Sequence, residues 1–276
     1  MSDSLVITIT QGKSEPWESI WKNGQLPTWV KRFQGDHEIV NVSGYPLGPL
    51  WKKFDTFHEL QRYSARFGKW QGRLDYFFTP WLKRNLPSSK ELPASVIREI
   101  LIETNSSYIF GGRRLLGTIK WFLDENQSQY LLVTTTSSLI NVKNLEKRLR
   151  KLDTNSLVYA GHLLGDGDSR FVTGAGQLIN RQTAKIVVEH AREYPHRMLN
   201  DVALGQLLRN HNVKAIEIPW VWVKSVDEVS RLDLETLGSA FHFRVKTSTN
   251  PRTDDLVMRA LHTRLLECNA KGILEY

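Results

Sequence analysis

Residues 130–145 read YLLVTTTSSLINVKNL: an apolar run from Tyr130 to Val133, five hydroxyl side chains in succession, then the start of a helical pattern. The first part has the β-branched and apolar character of a buried strand. Thr134, Thr135, Thr136, Ser137 and Ser138 therefore stand at the carboxyl end of that strand, where α/β proteins hold their ligands. The same alternation recurs along the chain. Strand-like runs fall at 5–10, 37–43, 96–103, 130–135, 157–161, 170–174, 216–223 and 241–246. Between them lie helical faces: Leu115, Ile119, Phe122 and Leu123 form one, and Ala184, Val187, Val188 and Ala191 form another, with Asn180 as its N-cap. Residues 253–268 read as a last helix with Asp254 and Asp255 in its first turn, where the dipole favours acids. Strands alternating with helices predict an α/β fold with a mixed, mostly parallel sheet flanked by helices, as a single domain over 1–276. The stretch 70–95, with Pro80, Pro87 and Pro93, reads as a loop excursion.

The chain has 276 residues, 41% hydrophobic and 24% charged, which is ordinary for a soluble globular protein. One cysteine excludes a disulfide framework and a multi-cysteine zinc site, and fits a reducing compartment. No apolar run approaches the roughly 20 residues that a membrane span needs. The N-terminus enters a strand pattern directly, so a cytoplasmic protein is expected. The net charge of +8 suits an anionic partner: a phosphorylated substrate, an anionic membrane surface or a nucleic acid. Nucleic acid is not expected, because no helix-turn-helix, RNP-type or zinc-finger signature accompanies the charge. The nine tryptophans suit core packing, or a surface that stacks carbohydrate or base rings. The GxxxxGK, GxGxxG, GxSxG and paired-histidine zinc patterns are absent, which removes the enzyme classes built on them.

Four stretches carry candidate chemistry. In RFVTGAGQLIN, 170–180, Gly174, Ala175 and Gly176 follow a strand and allow a tight turn or close backbone approach to a ligand. In MLNDVALG, 198–205, Asn200 and Asp201 precede a leucine-rich helix; either residue is an N-cap, or Asp201 is a carboxylate placed to take a proton. In FHFRVK, 241–246, His242, Arg244 and Lys246 alternate onto one face of a strand, and Arg252 follows in the next loop. That set is a solvated basic strip or an anion site. Asp166-Gly167-Asp168 spells either a turn or a cation-binding carboxylate pair.

The order of these pieces is more specific than any one of them. LLGTIKWFLDENQSQYLLVTTTSSLINVKNLEKRL, then VYAG, then FVTGAGQLINRQTAKIVV, then NDVALGQLL, within 112–210, resembles the Fringe and β-1,3-galactosyltransferase-like glycosyltransferases. The resemblance is strongest at Tyr130 to Leu145, at Gly174-Ala175-Gly176, and at Asp201-Val202 with Gly205. It implies a GT-A-like, Rossmann-like domain, with a nucleotide-binding half over 1–110 and a sugar and acceptor half over 111–276. It implies a nucleotide-sugar donor, typically a UDP-sugar, and a glycan or lipid-linked acceptor, met in the cytoplasm or peripherally at an anionic inner membrane face. Asp201 takes the place of the catalytic base, and Gly174 to Gly176 approach the sugar or acceptor.

The family's Asp-x-Asp, which holds Mn²⁺ or Mg²⁺ on the donor diphosphate, falls on Thr135-Thr136-Ser137. Neutral hydroxyls are poor ligands for a hard dication, so no metal site is expected there. Two readings follow. Either the site is catalytically degenerate, leaving a glycan- or nucleotide-binding protein, or the charge role has moved to His242, Arg244, Lys246 and Arg252. In the second reading Thr135, Thr136, Ser137 and Ser138 hydrogen-bond the donor and transfer is metal-independent and inverting.

Overall fold

A computed structural model describes residues 4–12, 14–34, 37–46, 86–93, 96–106, 110–153, 156–196 and 198–276. The expected loop excursion at 70–95 lies largely outside the described residues; its described part, 86–93, contains the short strand Ser89–Glu91.

Eight strands form the main sheet: β1 Leu5–Thr10, β2 Glu38–Tyr45, β3 Ser89–Glu91, β4 Arg98–Asn105, β5 Tyr130–Thr135, β7 Tyr159–Gly161, β10 Gly176–Asn180 and β11 Ile216–Glu217. Their spatial order is β11-β7-β10-β5-β1-β2-β4-β3. Within it β5, β1, β2 and β4 run parallel to one another, as do β7 and β11; β10 and β3 run against their neighbours. This is the mixed, mostly parallel sheet predicted from the strand–helix alternation. Three further strands, β6 Ser138–Ile140, β12 Val221–Val223 and β13 His242–Val245, make a second sheet in the order β12-β13-β6. A small hairpin pairs β8 Leu163–Leu164 with β9 Phe171–Val172.

Strand periodicity divides the core between the two faces of the main sheet. Leu5, Ile7, Ile9, Tyr130 and Leu132 pack with Trp29, Phe33, Leu145, Met258 and Leu261. The alternate positions Val6, Leu131 and Val133 pack with Leu116, Ile119, Phe122, Val187 and Leu204. Side chains two apart on a strand share a face, so helices on both sides are needed to bury both sets. The Gly111–Glu125, Arg181–Glu189 and Asn200–Asn210 helices cover the second face, and the Asp254–Ala270 helix contributes to the first. Asn180 caps the Arg181–Glu189 helix, its side chain accepting from the Thr183 N–H. Asn141 caps Val142–Leu149 in the same way, accepting from Asn144. No helix among the described residues is long and apolar enough to cross a membrane.

Candidate functional site

The five hydroxyls lie at the junction of the two sheets. β5 ends at Thr135, Thr136 and Ser137 turn, and Ser138 opens β6 in the smaller sheet. The turn leaves buried backbone carbonyls without ladder partners, and side chains from the N-terminal region satisfy them. Gln25 Nε2 donates to the carbonyls of Thr135 and Ser138, at 2.9 and 2.7 Å, and Trp29 Nε1 donates to Ser138 O at 3.0 Å.

Most of the hydroxyls are committed inside the protein. Thr134 Oγ1 and Ser138 Oγ both donate to the carbonyl of Ala175, at 2.9 and 3.1 Å. Ser137 Oγ donates to Asp254 Oδ2 at 3.1 Å. Thr136, Ser137 and Ser138 are 3%, 1% and 0% exposed, so their expected role as direct ligand contacts meets a buried turn. Thr135 is the half-buried member, and its Oγ1 accepts from Arg244 Nη1 at 3.0 Å.

The basic residues do gather here, but they differ from one another. Arg252 donates from Nη2 to Ser137 Oγ at 3.1 Å, pairs with Asp254, and lies over the Trp17 ring at 4.7 Å. Asp254 is fully buried and also accepts from the N–H and hydroxyl of Thr247, at 3.0 and 2.8 Å. Arg244 is partly buried, and the ion pairs among the described residues give it no carboxylate partner. Burial first, and then the charge of Arg252, bring its guanidinium down to about 10, with Asp254 partly opposing this. It remains charged at neutral pH. One carboxylate, paired with Arg252, thus stands against two guanidinium groups, and the cluster carries a net positive charge.

His242 departs from the expected basic strip. It is 2% exposed, its Nε2 lies 3.0 Å from Ser138 Oγ, and burial pulls its pKa down to about 3. It is neutral at physiological pH and adds no charge to an anion site. The cause is what covers that end of the β13 face: Gly176 lies close against the His242 ring and Trp220 meets it edge-on at 5.4 Å. Lys246, one residue past that strand, is exposed.

The Gly174-Ala175-Gly176 turn adjoins the hydroxyl turn through the Ala175 carbonyl. A Cβ on Gly176 would sit 2.6 Å from the His242 ring, whereas one on Gly174 would meet Asp201 at an ordinary 3.5 Å. Close approach of the ring, and not backbone conformation, thus demands glycine at 176. Asp201 Oδ2 accepts from Gly174 N–H at 3.0 Å, and Oδ1 from Val202 N–H at 2.9 Å. Leu199, not Asn200 or Asp201, occupies the N-cap position, and Asp201 is an acid of the first turn. Its half-buried carboxylate has roughly four acceptor positions, so these two bonds leave others open.

Aromatic groups border the same place. Trp220 stacks on His162 at 4.6 Å and meets His242 edge-on at 5.4 Å; Trp222, 44% exposed, stands 5.8 Å from Trp220. Gln25, Trp17, His162 and Trp220 have no place in the sequence reading, and Asp254 only that of a first-turn helix acid; the WVW pattern at 220–222, putting two tryptophans on one strand face, is the available signal.

The donor set at Thr135–Ser138 does not fit a hard dication. The hydroxyls are neutral, the nearby carboxylate of Asp254 is buried against Arg252, Ser137 and Thr247, and two arginines face the turn. Asp166 and Asp168 sit in an exposed turn around the Gly167–Ser169 3₁₀ segment, where Asp166 and Ser169 cap each other.

No protein-family model matches the chain, and no curated protein matches it. Among solved structures, the chain is similar to a glycosyltransferase involved in the glycosylation of the major capsid of PBCV-1, at 12% identity and a TM-score of 0.46. The superposition covers 93% of this chain and 98% of that one.

Proposed function

We propose that the protein transfers a sugar from a nucleotide-sugar donor, of the UDP-sugar type, to a hydroxyl of a glycan or lipid-linked acceptor, with inversion and without a metal at the donor diphosphate. The observation that carries this reading is the positively charged cluster at the end of β5: Arg244 on Thr135 and Arg252 on Ser137, with one carboxylate, paired to Arg252, against two guanidiniums. A partly buried cation without a counter-ion is costly, and an anionic ligand removes that cost. The diphosphate of a nucleotide sugar is such an anion, and guanidinium is suited to phosphate oxygens. Residues 1–110 supply the nucleotide-binding half.

In the proposed step the acceptor oxygen attacks the anomeric carbon while Asp201 takes its proton. The new C–O bond forms as the anomeric bond to phosphate breaks, and the electron pair leaves with the nucleoside diphosphate. Arg244 and Arg252 stabilise the charge that develops there, the role a metal fills in related chemistry. Thr136, Ser137 and Ser138 keep the turn in place, and Thr135 orients Arg244. Trp220 and Trp222 offer faces on which a sugar ring can stack.

Asp201→Asn tests the assignment. Asparagine still accepts from the Gly174 N–H, so the fold and donor binding are expected to persist, while transfer from the preferred nucleotide sugar falls on the order of 10²–10⁴-fold. Loss of donor binding together with transfer would reduce Asp201 to a tie between the helix and the glycine turn. The second reading, a binding protein without turnover, is favoured by that same tie. Donor binding with no transfer or hydrolysis of any nucleotide sugar would select it.

A further inference from the structure

His190, Glu193 and His211 form a second cluster of chemically capable side chains. His190 Nδ1 lies 2.9 Å from Glu193 Oε1, and His211 Nε2 lies 2.9 Å from Glu193 Oε2. The two imidazoles stack with centroids 3.6 Å apart. The ligating atoms all lie within 4.8 Å of one another, and among the described residues no other group of three has this property.

The local fold explains the convergence. His190 and Glu193 flank and close the Ala191–Glu193 3₁₀ segment, in which positions three apart eclipse one another. His190 is also the C-cap of the Arg181–Glu189 helix, and His211 is the C-cap of the Asn200–Asn210 helix. A helix C-terminus carries partial negative charge and favours a cation. Two such ends meet here over one carboxylate, whose pKa the two histidine hydrogen bonds hold below the usual range. The side chains are 37%, 52% and 22% exposed, so an ion can enter from solvent.

We propose that His190, Glu193 and His211 bind a divalent transition-metal ion of the zinc type, with solvent completing the coordination. Two imidazole nitrogens and a carboxylate are a set that zinc takes, whereas magnesium and calcium prefer oxygen donors. Bonds of zinc length in a tetrahedral arrangement separate ligand atoms by about 3.3 Å. The two 2.9 Å pairs use different oxygens of Glu193, and one atom from each residue lies within 4.8 Å of the other two, so side-chain rotation alone brings the three to that spacing. The ion would join the two ends of the segment 190–211, which carries Asp201 between them, and its role is to hold that segment. The inference does not depend on the glycosyl-transfer reading.

The test is a calorimetric titration of the EDTA-treated, dialysed full chain with Zn²⁺, with Mg²⁺ as control and Co²⁺ absorption as a spectroscopic readout. One equivalent of Zn²⁺ is expected to bind, raise the melting temperature and displace Co²⁺, with no matching response to Mg²⁺. Glu193→Gln, on an exposed side chain, and His211→Ala are each expected to weaken binding on the order of 100-fold. If His211→Ala fails to fold, Glu193→Gln alone decides. Absence of saturable Zn²⁺ binding, or affinity unchanged in either folded variant, would overturn the proposal and leave a histidine–carboxylate hydrogen-bond cluster.

Discussion

Two turns lie side by side where β5 pairs with β10, and they are built on opposite plans. The Thr135–Ser138 turn is held by side chains from distant parts of the chain and carries positive charge through Arg244 and Arg252. The Gly174–Gly176 turn is held through its backbone, with the Ala175 carbonyl on one side and the Gly174 N–H bound to the Asp201 carboxylate on the other. One turn gathers cations and the other presents an acid. A site that must hold an anionic leaving group beside a proton acceptor needs both, and needs them separate. The difference also shows where each turn is vulnerable: the first to loss of a charge, the second to added volume.

The largest effect is expected from Asp254→Ala. It leaves Arg252 unpaired against a buried hydroxyl turn and removes the acceptor of Ser137 and Thr247, and should destabilise the protein by about 3–5 kcal/mol. Urea unfolding reads this directly, and a change under about 1 kcal/mol would mean that solvent already screens the pair.

The glycine turn predicts an asymmetry. Gly176→Ala must displace a buried ring hydrogen-bonded to Ser138 and should cost about 1–3 kcal/mol, whereas Gly174→Ala meets only ordinary contact and should stay within about 0.5 kcal/mol. Equal melting temperatures for the two variants would break the assignment of close approach to Gly176.

The hydroxyl turn also predicts a pH response. His242 is neutral in the folded protein, with a pKa of about 3 against 6.5 for the free side chain. The unfolded chain binds a proton that the native state does not, so this contribution to stability is full above pH 6.5 and is lost as pH falls toward 3. The slope from one such group is at most about 1.4 kcal/mol per pH unit. His242→Gln should flatten the acid limb of a melting-temperature profile; an unchanged limb would place the acid sensitivity elsewhere.

The fold was largely legible because both periodicities were strong. Leu131 and Val133 against Tyr130 and Leu132, flanked by capped helical runs, specify a strand buried on two faces. Asn180 as a cap was readable for the same local reason. The site was legible only in part. Thr135, Arg244 and Arg252 stood out as residue types, but their pairing joins positions more than 100 residues apart, with no local signature. Gln25 bridges a similar span to reach the turn. Period-two alternation put His242, Arg244 and Lys246 on one face, yet alternation does not say what covers that face; Gly176 and Trp220 against the His242 ring decided that. Asp254 read as a helix-dipole acid; its pairing with Arg252 is local, but its burial against Ser137 joins positions 117 residues apart, which no short window contains.

The central claim is that Arg244 supplies charge a metal would otherwise supply. Calorimetric titration of UDP and UDP-sugars in EDTA, into the native chain and Arg244→Ala, tests it most directly. The account predicts saturable, metal-independent binding to the native chain, weakened about 10- to 100-fold in Arg244→Ala, with unfolding stability unchanged or raised because an unpaired cation has been removed. Binding that requires Mn²⁺, or that is indifferent to Arg244, would contradict it.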